Sequence, residues 1–586
     1  MGRLIKELGK KEIALFFMSV IVIALQIWAE LELIDRMQEV TLLVTADGGT
    51  TVKILIAGAK MLGLAVAGVI CSVIVGYAAA QIGANLSYNL REKLFRKVQD
   101  FSMEEINRFS TASLITRSTN DITQVQMLIS MGLQVALRAP IMAIWALSKI
   151  ATKNASWTVT VVVAVGCLLL MLSAVFLIAE PRFKKIQTLT DKINERMREN
   201  LTGLRVVRAY NAESFQEEKF ETANVALAKN NLVAHRVMAS LHPGMTAIMS
   251  GLSLAIYWIG FYLIDAAAAP EKLTLYSEMV VFSSYAMQVV MSFMMMSFIF
   301  LMFPRAVVSA RRISEVLDTD PKIKSGERKE GLAGVKGEVT FEHVSFAYPD
   351  AERPILENIS FEAKPGETVA FIGSTGSGKT TVVNLIPRFY DVTAGAVYVD
   401  GVNVKEYDSA ALTSKIGYVS QKAVLFSGDV TGNVTYGNEG KNDEKENVIR
   451  ALEISSAYDF VMDKEGQEKA FVARGGANFS GGQKQRLSIA RALYKKPEIL
   501  IFDDSFSALD YKTDRELRAA LKKECKGMTV LIVAQRIGTI LDADKIVVLD
   551  EGKIAATGTH KELLRTSTIY REIAESQLSE EDLKNE

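Results

Sequence analysis

Long apolar runs occur only in the first 305 residues of the chain, and the remainder alternates short apolar stretches with glycine and charge. About 20 consecutive apolar residues are enough for a helix to cross a bilayer. This criterion predicts six membrane spans, at residues 13–33, 54–80, 133–151, 157–178, 246–264 and 279–303. The later pattern is typical of a water-soluble α/β domain. We therefore expect a membrane half followed by a soluble half.

The loops between the predicted spans alternate in length and in charge. The loops after the second and fourth spans, residues 81–130 and 179–245, are long, rich in Arg and Lys, and free of Pro/Gly clusters. They predict helical extensions of the spans. Because basic loops stay on the cytoplasmic side of a membrane, both long loops, both termini and the soluble half are expected in the cytoplasm. The chain is thus predicted to be a multi-pass membrane protein.

Proline, glycine and charge mark the predicted domain boundaries. We assign residues 1–318 to the membrane domain, 319–336 to a linker, 337–575 to the soluble domain and 576–586 to an acidic, solvated tail. Pro321, Gly326, Gly331 and Gly334 lie in the linker. The two halves are therefore expected to fold around separate cores.

Composition excludes some functions. Lysine plus arginine equals aspartate plus glutamate at 67 each, so charge gives no indication of a nucleic-acid partner, and none is expected. The cysteines, Cys71, Cys167 and Cys525, have neither the spacing of a metal site nor that of a disulfide framework. The lack of a predicted disulfide framework agrees with a cytosolic location of the soluble half.

The strongest chemical signal is Gly-Ser-Thr-Gly-Ser-Gly-Lys-Thr at residues 373–380, between a strand pattern and a helical pattern. Such glycines let backbone N–H groups surround phosphates, while Lys379 supplies charge to the β and γ phosphates and Thr380 can bind Mg²⁺. The candidate ATP-binding residues here are Gly373, Ser374, Thr375, Gly376, Ser377, Gly378, Lys379, Thr380 and Thr381. Downstream, a buried-strand pattern ends at Asp503, a position suited to hold Mg²⁺. ATP and Mg²⁺ are the predicted ligands.

Between these two segments, residues 479–486 read Phe-Ser-Gly-Gly-Gln-Lys-Gln-Arg. Here the chain resembles the ATP-binding cassette (ABC) transporter family, whose signature sequence reads almost the same way. The resemblance implies an all-α six-helix transmembrane domain followed by a cytosolic α/β P-loop nucleotide-binding domain with an α-helical subdomain. Six spans before one cassette is the order of an exporter half-transporter. It also implies that two cassettes pair head to tail and enclose ATP between them.

The resemblance carries roles to further residues. Tyr348 would stack on adenine, and Gln421 would contact Mg²⁺ together with Thr380 and Asp503. The signature residues offered to a partner's site would be Ser480, Gly481, Gly482 and Gln483. The loop crossing between cassettes would be Ser507, Ala508, Leu509 and Asp510. Residues 114–121 and 204–210 look like the family's coupling segments.

Two candidate catalytic positions depart from the family. Asp504 stands where most members have the glutamate that activates water, and Gln535 stands where they usually have a histidine that contacts the γ phosphate. A carboxylate shortened by one methylene is retracted from the attacking water, and an amide lacks the switchable charge of imidazole. One interpretation is tolerated variation in a slow homodimer.

The other interpretation of these two departures is a heterodimer with unequal sites. This chain would hold ATP at a hydrolytically weak site, and its signature would complete a competent site on a non-identical partner with an intact Glu and His. Heterodimeric bacterial multidrug exporters divide the work in a similar way, so a bacterial plasma membrane is the expected location. An amphipathic small molecule is the expected cargo. A homodimeric lipid or peptide exporter, or an ATP-sensing membrane regulator, remains as an alternative.

The sixth span carries a stripe of soft side chains, and the first span carries charge. The stripe contains Met287, Met291, Met294, Met295, Phe298 and Met302. Thioethers suit a promiscuous binding cavity, but apolar residues in a span serve equally well in helix packing or against membrane lipid. Glu30 is expected to pair with Lys60 across two spans near the outer gate, whereas Arg138 is expected to extend its charge toward the membrane surface.

Overall fold

The computed structural model describes residues 8–45, 51–151, 155–349, 351–437 and 444–578. The chain forms two compact units, residues 1–99 with 111–319, and residues 100–110 with 320–586. The predicted acidic tail lies outside the described residues from residue 579 onward. Each unit has its own core, and we describe each by itself.

The helices up to residue 318 are α1 (Lys10–Thr45), α2 (Thr51–Gln99), α3 (Met103–Phe109), α4 (Thr111–Thr116), α5 (Ile122–Ala151), α6 (Ala155–Thr202), α7 (Leu204–Ala209), α8 (Glu213–Ala239), α9 (Leu241–Ala266) and α10 (Ala269–Asp318). A π-helical turn, Arg117–Asp121, joins α4 to α5. Among the described residues, six helical segments are long and apolar enough to cross a membrane: α1, α2, α4 with α5, α6, α8 with α9, and α10. The six predicted spans are confirmed. Helices α2, α6 and α10 run for 49, 48 and 50 residues, well beyond the roughly 20 that a bilayer requires.

The membrane unit packs around large side chains and a polar link. Trp157 of α6 and Phe282 of α10 are fully buried, with their ring centroids 5.4 Å apart. Asp35 of α1 accepts hydrogen bonds from the Tyr285 hydroxyl of α10 at 2.6 Å and from Lys149 Nζ of α5 at 2.7 Å. Because lipid offers little hydrophobic driving force between helices, close packing and such polar links hold the spans together.

The charge pairing of the first span differs from the prediction. Arg138 of α5 donates to both carboxylate oxygens of Glu30, at 2.8 and 2.9 Å, and Gln26 also donates to Glu30 at 3.0 Å. Lys60 is exposed instead. The expected pair of Glu30 with Lys60 and the outward extension of Arg138 were therefore wrong. The physical reason is that two opposite charges in an apolar segment stabilise each other when the helices bring them together.

The second unit contains two main sheets. Its strands are β1 (Val339–Phe346), β2 (Leu356–Ala363), β3 (Thr368–Gly373), β4 (Ala394–Val399), β5 (Val402–Asn403), β6 (Ile416–Val419), β7 (Gly428–Asp429), β8 (Phe471–Val472), β9 (Ile499–Asp503), β10 (Thr529–Val533), β11 (Lys545–Asp550) and β12 (Lys553–Gly558). The antiparallel sheet has the order β2-β1-β4-β5. The larger sheet has the order β12-β11-β3-β10-β9-β6 and is parallel except for β12. Strands β7 and β8 form a small antiparallel pair.

The helices of this unit, after α3, are α11 (Lys379–Leu385), α12 (Ser409–Lys415), α13 (Val430–Val434), α14 (Glu444–Ile454), α15 (Tyr458–Met462), α16 (Gly481–Tyr494), α17 (Tyr511–Glu524), α18 (His560–Thr566) and α19 (Thr568–Glu575). Strand β9 is buried at every position, and β3 is buried at its four central positions. Continuous apolar strands of this kind are covered on both faces. Ligands of such sheets bind beyond the carboxyl ends of the strands, which lie at one edge.

A buried ion pair lies beside the first residues of the cassette. Asp400 is fully buried and accepts hydrogen bonds from the backbone N–H groups of Gly337, at 2.6 Å, and Glu338, at 3.1 Å. Lys415 Nζ lies 2.7 Å from Asp400 and 2.8 Å from Glu498. Removing one member of a buried pair leaves the other charge uncompensated.

We predict that Lys415→Met destabilises the cassette by about 3–5 kcal/mol, because it leaves the Asp400 carboxylate buried without a cation. Thermal or denaturant unfolding of the full chain measures the change. The control is Arg450→Met, which removes an exposed bridge to Glu524 and should cost less than about 1 kcal/mol. Equal effects of the two variants would contradict the prediction.

Candidate functional site

The loop between β3 and α11 requires glycine at two positions. A Cβ on Gly373 would lie 2.0 Å from the carbonyl oxygen of Leu549. Gly378 has a φ of +96°, and its Cβ would lie 2.5 Å from Leu356. The backbone is therefore packed as closely as a phosphate-binding loop requires.

Lys379 is the buried cation of this loop and is only 9% exposed. Its Nζ donates to the carbonyl oxygens of Gly373 at 2.9 Å and Ser374 at 2.7 Å, and lies 3.3 Å from Ser377 Oγ. Burial lowers the pKa of Lys379, while the nearby carboxylates act in the opposite direction. A desolvated ammonium whose direct partners are neutral oxygens fits an anionic ligand such as a phosphate.

Thr380 and Asp503 form a pair of hard oxygen donors. The Thr380 hydroxyl donates to Asp503 Oδ1 at 2.7 Å, and the Tyr418 hydroxyl lies 3.3 Å from Asp503 Oδ2 and 2.9 Å from Asn384 Oδ1. Burial raises the pKa of Asp503, and the bonds from Thr380 and Tyr418 oppose this shift. A hydroxyl and a carboxylate in contact fit Mg²⁺, which prefers oxygen ligands.

Asp504 is held by two side-chain amides on the same oxygen. Its Oδ2 accepts hydrogen bonds from Gln421 Nε2 at 3.0 Å and from Gln535 Nε2 at 2.7 Å. The residue has a φ of +50°, a conformation that Asp tolerates better than most residues, and its N–H donates to the carbonyl of Val533 at 3.0 Å. The side chain is only 7% exposed. Two amide hydrogen bonds and burial thus hold the orientation of this carboxylate.

The order of the strands explains why these side chains meet. Gln421 lies just after β6, Asp504 just after β9 and Gln535 just after β10, and the three strands are neighbours in the sheet. A cavity of about 10 Å³ beside them is lined by Asp504, Gln535, Arg536 and Thr539, among others. That volume is about the size of one water molecule. The structure therefore brings the predicted catalytic and Mg²⁺-binding residues to one edge.

Tyr348 lies beside the helix that follows the phosphate loop, in a small aromatic cluster. Its hydroxyl is 3.2 Å from Thr381 Oγ1 on α11. Its ring stands edge-on to Phe346, with centroids 4.9 Å apart, and to Tyr390, with centroids 5.2 Å apart. The ring is half-buried, so a part of it remains available to a base.

The signature residues form the start of α16. Ser480 caps this helix and exchanges hydrogen bonds with Gln483, at 3.0 and 3.3 Å. A Cβ on Gly482 would lie 3.1 Å from the carbonyl oxygen of Ala508, so the signature and the interface loop are in contact. In the same loop, the Ser507 hydroxyl donates to the carbonyl oxygen of Asp504 at 2.9 Å. Signature, interface loop and Asp504 are therefore connected within one chain.

Helix α3 lies within the loop that was predicted to be helical, but its place in the second unit was not predicted from the sequence. It belongs to the second unit, although it precedes four of the predicted spans. Asn107 Nδ2 donates to the Tyr390 hydroxyl at 3.1 Å, Glu105 accepts from the backbone N–H of Lys322 at 3.2 Å, and Lys322 also pairs with Glu104. The capping box of Ser102 and Glu105 was the available signal. The segments predicted for coupling, residues 114–121 and 204–210, belong to the first unit.

The methionine stripe lies beside the packed face of α10, not within it. Met287 is half-buried, with its sulfur 3.9 Å from the Ser253 hydroxyl, whereas Met291 and Met295 are 45% and 40% exposed. Met294 is half-buried. The side chain of Phe298 lies outside the described residues. A cavity of about 210 Å³ is lined by Leu128, Met131, Gly132, Gln134 and Val135 of α5 and by Ile299 and Met302 of α10.

We predict that Tyr418→Phe weakens Mg²⁺-dependent ATP binding roughly fivefold, because it removes about 1 kcal/mol of hydrogen bonding to ionised Asp503. Without this hydrogen bond the pKa of Asp503, which burial already raises, should rise further. As the pH is lowered, the variant should therefore lose Mg²⁺-dependent binding at a higher pH than the wild-type chain does. Titrations with Mg²⁺ across pH measure both effects. Binding in EDTA should not change, and Tyr458→Phe, at the exposed start of α15, serves as the control. An unchanged pH profile would contradict the prediction.

Residues 16–293 match the ABC transporter transmembrane region, and residues 356–507 match the ABC transporter family. An uncharacterized ABC transporter ATP-binding protein of Mycobacterium tuberculosis is 40% identical over 533 residues, 90% of each chain. An ATP-dependent lipid A-core flippase of Pseudomonas fluorescens is 31% identical over 494 residues, 84% of this chain and 81% of the flippase. A bacterial Atm1-family ABC exporter solved with ATP bound has a TM-score of 0.79 at 24% identity, covering 97% of this chain and 100% of the exporter. This chain is therefore a member of the ABC transporter family, with its membrane region and its ATP-binding cassette on one polypeptide in the fold of an exporter half-transporter.

Proposed function

We propose that this chain is one subunit of a heterodimeric exporter that moves amphipathic small molecules out across a bacterial plasma membrane. It binds ATP and Mg²⁺ at a site with little capacity for hydrolysis. Its signature residues complete a competent site on a non-identical partner that has the catalytic Glu and His. The observation that carries the proposal is the engagement of Asp504 Oδ2 by two amides.

The binding part of the site supports ATP retention. Lys379 is positioned for the β and γ phosphates, and Thr380 with Asp503 provides oxygen ligands for Mg²⁺. When bound, Mg²⁺ neutralises charge on the phosphate oxygens. Tyr348 offers part of its ring to adenine. These groups support the proposal that this chain holds ATP.

In the hydrolytic part of the site, the candidate base is short and one of its two oxygens is already hydrogen-bonded. Asp504 is one methylene shorter than glutamate, and the lone pairs of its Oδ2 already accept two N–H groups. Gln535 can donate an amide N–H to a phosphate oxygen but cannot carry the charge of an imidazolium. A positioned base contributes about 10² to 10⁴-fold to such a reaction. ATP at this site should therefore persist while the partner's site turns over.

We predict that, in the pair with a partner whose catalytic Glu is changed to Gln, Asp504→Glu with Gln535→His in this chain raises ATP turnover by roughly tenfold or more, because a base is restored. Steady-state ATPase assays on the purified pair measure this. Lys379→Ala in the same double variant should remove the gain.

The same assay, after co-expression with candidate six-span partners, locates the competent site. Turnover of the pair should be abolished by changing the partner's Glu to Gln and little altered by Asp504→Asn. Brisk, cargo-stimulated hydrolysis by the wild-type chain alone would overturn the heterodimer proposal and favour a homodimer.

A lipid exporter is the second candidate function, favoured by the similarity to a protein named as a lipid A-core flippase. The soft, partly exposed face of α10 supports amphipathic cargo of either kind, since thioethers adapt to many apolar shapes. We assign Glu30, whose charge is paired with Arg138, to the same proposed path. Transport measurements distinguish an exporter of amphipathic small molecules from a lipid exporter.

We predict that the reconstituted pair moves a cationic amphipathic dye and that Met291→Ala with Met295→Ala weakens dye stimulation of its ATPase by about 2- to 10-fold. Each thioether contact is worth about 0.3–1.5 kcal/mol. The matched control is Leu170→Ala, at an apolar position of α6 that is 73% exposed. Translocation of a labelled lipid without dye transport would instead identify a lipid exporter. Transport of neither would favour an ATP-sensing regulator.

A further inference from the structure

The end of the last described helix contacts the catalytic edge through one side chain. Gln577 lies two residues after α19. Its Oε1 accepts the backbone N–H of Ile537 at 2.8 Å, and its Nε2 donates to the backbone carbonyl of Gln535 at 2.9 Å. One amide therefore binds the main chain at two positions, on either side of Arg536. We name this contact the Gln577 clamp.

The turn that carries Gln577 is anchored by buried residues of α19. Tyr570 and Ala574 of α19 are fully buried in the core of the cassette, and the Tyr570 hydroxyl lies 2.7 Å from His560 Nδ1 on α18. The backbone N–H of Leu578 donates to the carbonyl of Ala574 at 2.8 Å, which closes the turn that carries Gln577. The position of the amide is thus set by buried groups, although the side chain itself is exposed.

The clamped segment carries the side chain that reaches Asp504. Strand β10 ends at Val533, and the backbone N–H of Ala534 still donates to the carbonyl of Phe371 at 3.0 Å. At the next residue, Gln535, the carbonyl is bound by Gln577 while the side chain donates to Asp504 Oδ2 at 2.7 Å. Movement of this backbone would therefore displace the Gln535 amide from the edge of the sheet.

We propose that Gln577 is a positioning residue for the nucleotide site: it fixes the backbone of residues 535–537 and so directs the Gln535 amide at Asp504 and at the terminal phosphate of bound ATP. The inference rests on the proposed function of this edge as the ATP site. It extends the nucleotide site to the turn that follows α19 and carries Gln577.

The test uses Gln577→Met in the full chain reconstituted in lipid, because methionine keeps the length and apolar volume of the side chain and removes both hydrogen bonds. Release of radiolabelled ATP with Mg²⁺ is followed after dilution into unlabelled ATP. Loss of two partly exposed hydrogen bonds should speed release by about 3- to 10-fold. The matched control, Ser576→Ala, changes the same turn without touching the clamp and should leave release unchanged.

A double-mutant cycle with Gln535→Ala separates positioning from a general structural effect. If Gln577 acts through Gln535, then Gln577→Met should change release less than about twofold in the Gln535→Ala background. Additive effects, or a matching drop in the unfolding temperature of Gln577→Met, would overturn the proposal. So would faster release in Gln535→Ala with normal release in Gln577→Met. If Gln535→Ala alone changes nothing, the assignment of the edge as the ATP site fails instead.

Discussion

One carboxylate oxygen, Oδ2 of Asp504, accepts the amide N–H groups of Gln421 and Gln535, and the polar edge of the cassette is arranged around it. The three residues follow β9, β6 and β10, which are adjacent strands. Strand β3, which leads into the phosphate loop, is the next neighbour of β10. Because parallel strands end at one edge, a single sheet order brings the cation, the oxygen donors and both amides together.

The polar groups of this edge hydrogen-bond to one another and to the backbone. Thr380 bonds to Asp503, Lys379 bonds to carbonyl oxygens, and Gln535 bonds to Asp504. A buried polar group left without a partner costs about 1–3 kcal/mol, so these internal bonds stabilise the cassette.

The network also connects the edge to more distant parts of the cassette. The interface loop contacts Asp504 through Ser507 and the signature through Gly482. Tyr390 joins the aromatic cluster of Tyr348 to Asn107 of α3. Each connection is a short series of direct contacts within one compact unit. The nucleotide edge, the signature and α3 are therefore joined by direct contacts within one unit.

The sequence by itself determined the two halves, the six spans, the phosphate loop and the signature, because each depends on a local pattern: apolar length, glycine spacing or a short motif. It also identified Asp504 and Gln535 as unusual. Only the tertiary structure decided that Gln421 and Gln535 both donate to one oxygen of Asp504 and that Glu30 meets Arg138 and not Lys60. It also decided that α3 belongs with the cassette and that Gln577 binds the backbone beside Gln535. These contacts join residues up to 283 positions apart, as Asn107 and Tyr390 show. The physical reason is that helix packing and strand order, which set such contacts, are properties of the whole fold and leave no periodic pattern in the chain.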